Sequence, residues 1–177
     1  SGDTYLDTSY NGSALVGKWL VEHGFKVGII AQPEVDVPDD ITRLGEPNLF
    51  FAVSGGCVDS MVANYTATKK RRQQDDFTPG GVNNKRPDRA VLVYSNMIRR
   101  FFKGTTKKIV ISGIESSLRR ITHYDYWTNK LRKPILFDAK ADILSYGMGE
   151  MSMLQLANAL KNGEDWKNIK GLCYLSK

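Results

Sequence analysis

The chain has 177 residues, 41% of them hydrophobic and 25% charged, and a formal net charge of +6. That length suits one domain with a sizeable core, and no apolar run approaches the ~20 residues that a membrane-spanning helix needs. The opening Ser1-Gly2-Asp3 is neither a secretory signal nor a basic transit segment, so a cytoplasmic protein without a membrane partner is expected.

The two cysteines, Cys57 and Cys173, stand far apart, and the two histidines are His23 and His123. Two thiols so placed fit a reducing compartment and do not make a Cys/His metal site. The positive charge is concentrated: residues 66–108 hold 12 Lys/Arg against 3 Asp/Glu, beginning Lys69-Lys70-Arg71-Arg72 and continuing through Lys85, Arg86 and Arg89. Such a segment suits a polyanion, so a nucleic-acid-binding module through residues 69–89 is one functional alternative. A solvated loop, or a dock for an acidic neighbouring surface, is the other reading.

In chain order, Asp3, Tyr5, Asp7 and Tyr10 read as the loop after a strand, and a helix over 12–22 is expected from Leu15, Val16, Trp19 and Leu20. His23-Gly24 stops it, and Phe25–Ala31 reads as a strand. A helix packed on a parallel sheet normally returns from a strand, so a first strand before Ser1 is expected. A short helix over 35–44, a strand over 48–54 ending at Gly55-Gly56, and a helical turn over 59–65 follow. Residues 66–88 form a long polar insertion, of the kind that is usually functional or mobile. Then come a helix over 89–103, a strand over 109–112, an aromatic and basic stretch over 119–133, a strand over 143–146, a helix over 150–160 and a strand over 171–175.

Strand and helix alternate, with glycines after the strands. This predicts an α/β fold: a doubly wound, mainly parallel sheet of five strands, Rossmann-like or flavodoxin-like, spanning 1–177 as one domain. In such folds ligands sit beyond the carboxyl ends of the strands. The candidate site therefore gathers Asp3, Tyr5 and Asp7, Gly55 and Gly56, then Gly113, Glu115, Ser116 and Ser117. Gly147, Gly149 and Glu150 complete it at the third strand end. Arg119 and Arg120, beside His123 and Tyr124, suit either an interface or a clamp on an anionic substrate.

Several blocks resemble YgiQ-type radical SAM proteins: Gly2-Asp3-Thr4-Tyr5-Leu6-Asp7, Gly28–Pro33, Asp59-Ser60-Met61-Val62, Thr78-Pro79-Gly80-Gly81 and Lys85-Arg86-Pro87-Asp88-Arg89. The strongest are Gly113-Ile114-Glu115 with Ser117-Leu118-Arg119-Arg120-Ile121, and His123-Tyr124-Asp125-Tyr126-Trp127. The resemblance implies a non-catalytic amino-terminal domain whose partner is a downstream radical SAM barrel. That barrel would bind a [4Fe–4S] cluster through three cysteines and cleave S-adenosylmethionine, while this chain holds no cofactor itself. More broadly the chain is similar to the cobalamin-binding-type domain that precedes many such barrels, through Gly113-Ile114-Glu115 and Gly147-Met148-Gly149-Glu150. It departs from that pattern at Ser112, at Glu115 and in lacking an Asp-x-His-x-x-Gly signature. Cobalamin binding stays as a further alternative.

Overall fold

The computed structural model describes residues 1–4 and 12–176. Three short parallel strands form its centre: β1 (Phe50–Ser54), β2 (Lys108–Ser112) and β5 (Ile143–Ser145). β6 (Leu172–Tyr174) closes one edge antiparallel to β5, giving the order β1-β2-β5-β6. Outside this sheet, β3 (His123–Asp125) and β4 (Lys130–Arg132) make an antiparallel hairpin.

Alternation along β2 explains the layering. Ile109 and Ile111 point to one face and Val110 to the other, and all three are fully buried. The first face packs on α2 (Pro38–Thr42), α4 (Ala90–Phe101) and α6 (Ile135–Ala139), through Ile41, Tyr94, Met97, Ile98 and Leu136. The second packs on α1 (Gly12–Glu22) and α7 (Glu150–Asn162), where Met153 and Leu156 meet Val110 and Ile143. Two short helices, α3 (Ser60–Asn64) and α5 (Gly113–Leu118), lie just beyond β1 and β2. Among the described residues no helix is long and apolar enough to cross a membrane.

The mainly parallel, doubly covered sheet agrees with the sequence; the count of five strands is not confirmed, since among the described residues this sheet has four. The expected strand at Phe25–Ala31 is extended backbone in no ladder. Being extended is local, whereas being a strand requires a bonded neighbour, which this run lacks over most of its length. The stretch 119–133, unassigned from sequence, supplies the hairpin. Residues 66–88 are a loop pinned by short antiparallel bridges, Tyr65 to Arg71 and Gln74 to Val82.

Because β2 is central and fully covered, Ile111→Ala is expected to lower the unfolding free energy by about 2–5 kcal/mol. Urea denaturation of wild type and variant measures it; a loss below about 1 kcal/mol contradicts this account of the core.

Candidate functional site

The carboxyl ends of β1, β2 and β5 meet at one end of the sheet, and the first thing found there is a buried charge. Arg86 is 1% exposed. Its Nη1 donates to Asp3 Oδ1 at 2.7 Å and to the Gly55 carbonyl at 2.8 Å, while Nε and Nη2 reach Asp75 at 3.3 Å. The remaining acceptor capacity is used as well. Cys57 N donates to Asp3 Oδ2 at 2.6 Å, and Phe77 N and the Thr78 hydroxyl donate to Asp75 at 3.0 and 2.8 Å. One cation thus sits between two carboxylates, with amides and a hydroxyl satisfying the excess negative charge. The two glycines after β1 have a steric reason. A Cβ at Gly56, where φ is +108°, would lie 2.1 Å from Asp3 Oδ1, and one at Gly55 would lie 2.4 Å from Glu115 Oε2.

Glu115 is a further buried acid, 2% exposed. It accepts from Ser60 N at 3.0 Å and Val91 N at 3.2 Å, so one carboxylate joins the first turns of α3 and α4. Burial first, then the Asp59 charge, raises its pKa. Asp59 caps α3 through Met61 N at 2.9 Å and pairs with Arg119, which also donates to the Glu115 carbonyl at 3.1 Å. Burial works against the Arg119 charge, but Asp59 and Glu115 outweigh it and hold the group above its ordinary value. Another buried acid, Asp125, fixes the hairpin by accepting from Arg89 at 2.7 Å, Arg132 at 2.9 Å and Thr128 at 2.5 Å. Burial opposes ionisation there, yet these three donors hold Asp125 well below the usual carboxylate range.

Outside this shell lies an open rim. Gly147 N donates to Ser117 Oγ at 3.4 Å, joining α5 to the β5–α7 turn. Arg120 donates to the Ser117 carbonyl at 2.7 Å and lies 5.2 Å over the Tyr146 ring. Gly147 has nothing within 4 Å of where a Cβ would stand, Met148 is 88% exposed, and Gly149 and Glu150 border the same cavity.

Of the residues expected at the site, Asp3, Gly55, Gly56, Gly113 and Glu115 converge at the ends of β1 and β2. Ser117, Arg120, Gly147, Gly149 and Glu150 form the rim. Ser116 is wholly buried, with no partner for its Oγ. His123 and Tyr124 belong to the hairpin: His123 bonds the Ile121 carbonyl at 3.2 Å, and the Tyr124 hydroxyl bonds Asn129 at 2.8 Å. Tyr5 and Asp7 lie outside the described residues. Sequence reasoning did not identify Asp59, Asp75 and Asp125 as part of the site and assigned Arg86 to a surface patch. Asp59, just before α3, carried the one local signal, a helix-capping position. The basic segment is largely engaged: besides Arg86 and Arg89, Arg71 pairs with Asp88 at 3.5 Å and Arg72 bonds two carbonyls.

Removing Arg86 strands two buried acids, so Arg86→Met is expected to cost about 3–5 kcal/mol of stability in chemical denaturation. Arg86→Lys, which keeps the charge but loses the fork, should fall between the two. Asp125 binds its proton more weakly folded than unfolded, so its contribution is complete above the usual carboxylate range and fades as pH falls below it. Asp125→Asn should flatten that part of the acid limb of a stability–pH curve and cost about 1.5–3 kcal/mol near neutrality.

Residues 1–177 match the family model described as "Radical SAM N-terminal". The chain is 99% identical over its full length to a UPF0313 protein of Fusobacterium nucleatum, covering 31% of that protein. It is 56% identical over 172 residues to a UPF0313 protein of Thermotoga neapolitana and 54% identical over 170 residues to one of Methanocaldococcus jannaschii, covering 30% and 28% of them. The chain thus spans about a third of the length of these relatives. Among solved structures it is similar to TsrM, a radical S-adenosylmethionine methyltransferase from Kitasatospora setae, seen with tryptophan and a SAM analogue. The TM-score is 0.63 at 16% identity, over 100% of this chain and 27% of that one. A second TsrM structure, with cobalamin and a [4Fe–4S] cluster bound, gives 0.60 at 17% identity, over 98% and 26%. At such identity the likeness speaks to fold, and it is a likeness to the same kind of layered α/β arrangement. The family match over every residue settles the membership: this chain belongs to the radical SAM N-terminal domain family.

Proposed function

We propose that this chain is the non-catalytic accessory domain of a longer radical SAM iron–sulfur enzyme. Its strand-end rim docks on the catalytic barrel and lends contacts to the substrate or cofactor held there. The observation that carries this reading is where apolar side chains remain uncovered. Ile114, Leu118 and Ile121 follow β2, and Met148 and Met151 follow β5; they are 42, 59, 62, 88 and 57% exposed. The Ser117–Gly147 hydrogen bond brings these two groups to one rim, and apolar surface gathered beside a polar cleft marks an interaction face. Arg120, Ser117, Gly147, Gly149 and Glu150 offer the polar contacts. Asp3, Glu115 and Arg119 act by fixing the strand ends.

The chain's own side chains do not fit the iron–sulfur cluster. Cys57 and Cys173 are its two cysteines, and the described residues contain no group of three His, Cys, Asp or Glu able to hold a metal. Burial, then the charge and hydrogen bond of Asp3, push the Cys57 thiol up to about 12, so it is not a ready thiolate ligand. The cluster and its S-adenosylmethionine chemistry belong, in this reading, to the barrel. Cobalamin is the second reading, favoured by the TsrM structure that holds it and by the unfilled space at Gly147. No histidine lines the cavity among the described residues, so ligation of cobalt by imidazole does not fit.

The test uses the longer protein carrying Leu118→Asp and Met148→Asp. Both side chains are already exposed, so the domain's unfolding midpoint should hold, while cleavage by a protease just beyond residue 177 should become about tenfold faster as docking is lost. Unchanged cleavage removes the docking proposal. An iron–sulfide absorption band from the isolated chain after anaerobic reconstitution contradicts the assignment of the cluster to the barrel.

A further inference from the structure

The long loop between α3 and α4 is tied down at its stem by two asparagines. Asn64, the last residue of α3, is fully buried, and Asn83, inside the 66–88 loop, is 7% exposed. Each spends both hydrogens of its amide nitrogen on oxygen. Asn64 Nδ2 donates to the Arg86 carbonyl at 3.2 Å and to Asp88 Oδ1 at 2.7 Å. Asn83 Nδ2 donates to the Asn64 carbonyl at 3.3 Å and to the Arg72 carbonyl at 3.0 Å. All four partners are acceptors, which fixes the end of each amide that is nitrogen, because a flip would set oxygen against two oxygens. Both Oδ1 atoms are therefore acceptors, and both are buried without a hydrogen-bond partner among the described residues.

An amide oxygen left so is costly, and in a native fold it calls for an ordered water or an ion. The surroundings distinguish the two. Neighbouring main-chain donors are already spent: Arg72 N on the Asn64 carbonyl at 2.8 Å, Asn83 N on Gln73 at 2.9 Å and Asn84 N on Val82 at 2.9 Å. A buried water makes about three hydrogen bonds, so it must accept as well as donate. With the donors of both asparagines and of these amides in use, a water would find acceptors and little to accept from. A hard cation needs only oxygens. Asp88 is the one carboxylate bonded to either asparagine, and Arg71 already pairs with it at 3.5 Å. A divalent ion draws on several carboxylates, whereas neutral carbonyl-type oxygens suit a single charge.

We propose that Asn64 and Asn83 hold a monovalent metal cation, of sodium or potassium size, through their Oδ1 atoms. It joins the end of α3 to the two sides of the loop stem, where Arg72–Gln74 and Val82–Asn84 run past each other. The same loop delivers Asp75 and Arg86 to the strand ends. Occupancy by the ion thus governs how firmly the buried guanidinium is presented to Asp3 and Gly55.

Amide hydrogen exchange on the longer protein tests this in sodium, potassium and tetramethylammonium chlorides at equal ionic strength. The Arg72 and Asn83 amides report on the stem, and the amides of β2 are the internal reference. At a cation concentration ten times its Kd, linkage slows opening of the bound stem about tenfold. Expected is exchange at Arg72 and Asn83 about tenfold slower in sodium or potassium than in tetramethylammonium, with β2 unchanged. Asn83→Leu, which removes one ligand, should abolish the difference between salts. Equal rates in all three salts overturn the proposal and assign the two oxygens to ordered water. Slowing produced by calcium or magnesium alone overturns the single charge, and slowing that survives in Asn83→Leu overturns the site. Should that variant not fold, the salt comparison on the unaltered protein decides alone.

Discussion

The strand ends are organised by one buried guanidinium. Arg86 has no exposed side-chain surface, and its burial is tolerated because Asp3 on one side and Asp75 on the other replace the water it gives up. Removing such a group from water costs several kcal/mol, and attraction repays that only if nearly every donor is used. Arg86 meets that condition by taking the Gly55 carbonyl along with both acids. The geometry is therefore stiff. It ties three separated parts of the chain (the stretch around Asp3, the end of β1 and the 66–88 loop) to one planar fork.

From that fork the rest of the end of the sheet follows. With Gly55 fixed, Glu115 packs against it and bonds the first turns of α3 and α4, and Arg119 answers Asp59 across the same gap. The hairpin is held to the front of α4 by Arg89 and Asp125. What remains free among the described residues is the outer arc of Leu118, Ile121, Met148 and Met151, mounted on rigid supports but largely exposed. That division suits a domain whose rim must meet another surface in a fixed orientation, since preorganisation limits the entropy that docking costs.

Much of this was legible in the residues, and the parts that were not share a cause. The helices α1, α4 and α7 declare themselves by apolar spacing, and β1, β2 and β5 by short apolar runs, β1 and β2 each stopping at a glycine. Periodicity is a local property, and these elements are locally decided. Phe25–Ala31 reads as a strand because its side chains are right; its failure to pair depends on a neighbour that spacing within the run cannot reveal. Likewise β3 and β4 were hidden by aromatic and basic residues that suggested binding instead. Arg86, in a segment rich in lysine and arginine, carried no sign that it alone turns inward. Asp3 and Asp75, which make that burial tolerable, are 83 and 11 residues away along the chain.

The glycines after β1 teach the sharper lesson. Glycine at a strand end means that something approaches the backbone closely, and the natural inference is a ligand. At Gly55 and Gly56 the approaching atoms are the protein's own carboxylates, Glu115 and Asp3. Two of the acids that looked free to bind are therefore committed, each to partners that would be left unsatisfied if it moved. Gly147 differs, because among the described residues no atom lies within 4 Å of where its Cβ would stand. A ligand or partner that uses this end of the sheet must come in over Gly147 and find its polar contacts on the rim. In the docking proposed above, Arg120 and Glu150 are the rim's own charges and the docked body supplies the rest, so on that proposal the rim is half of a site rather than a whole one.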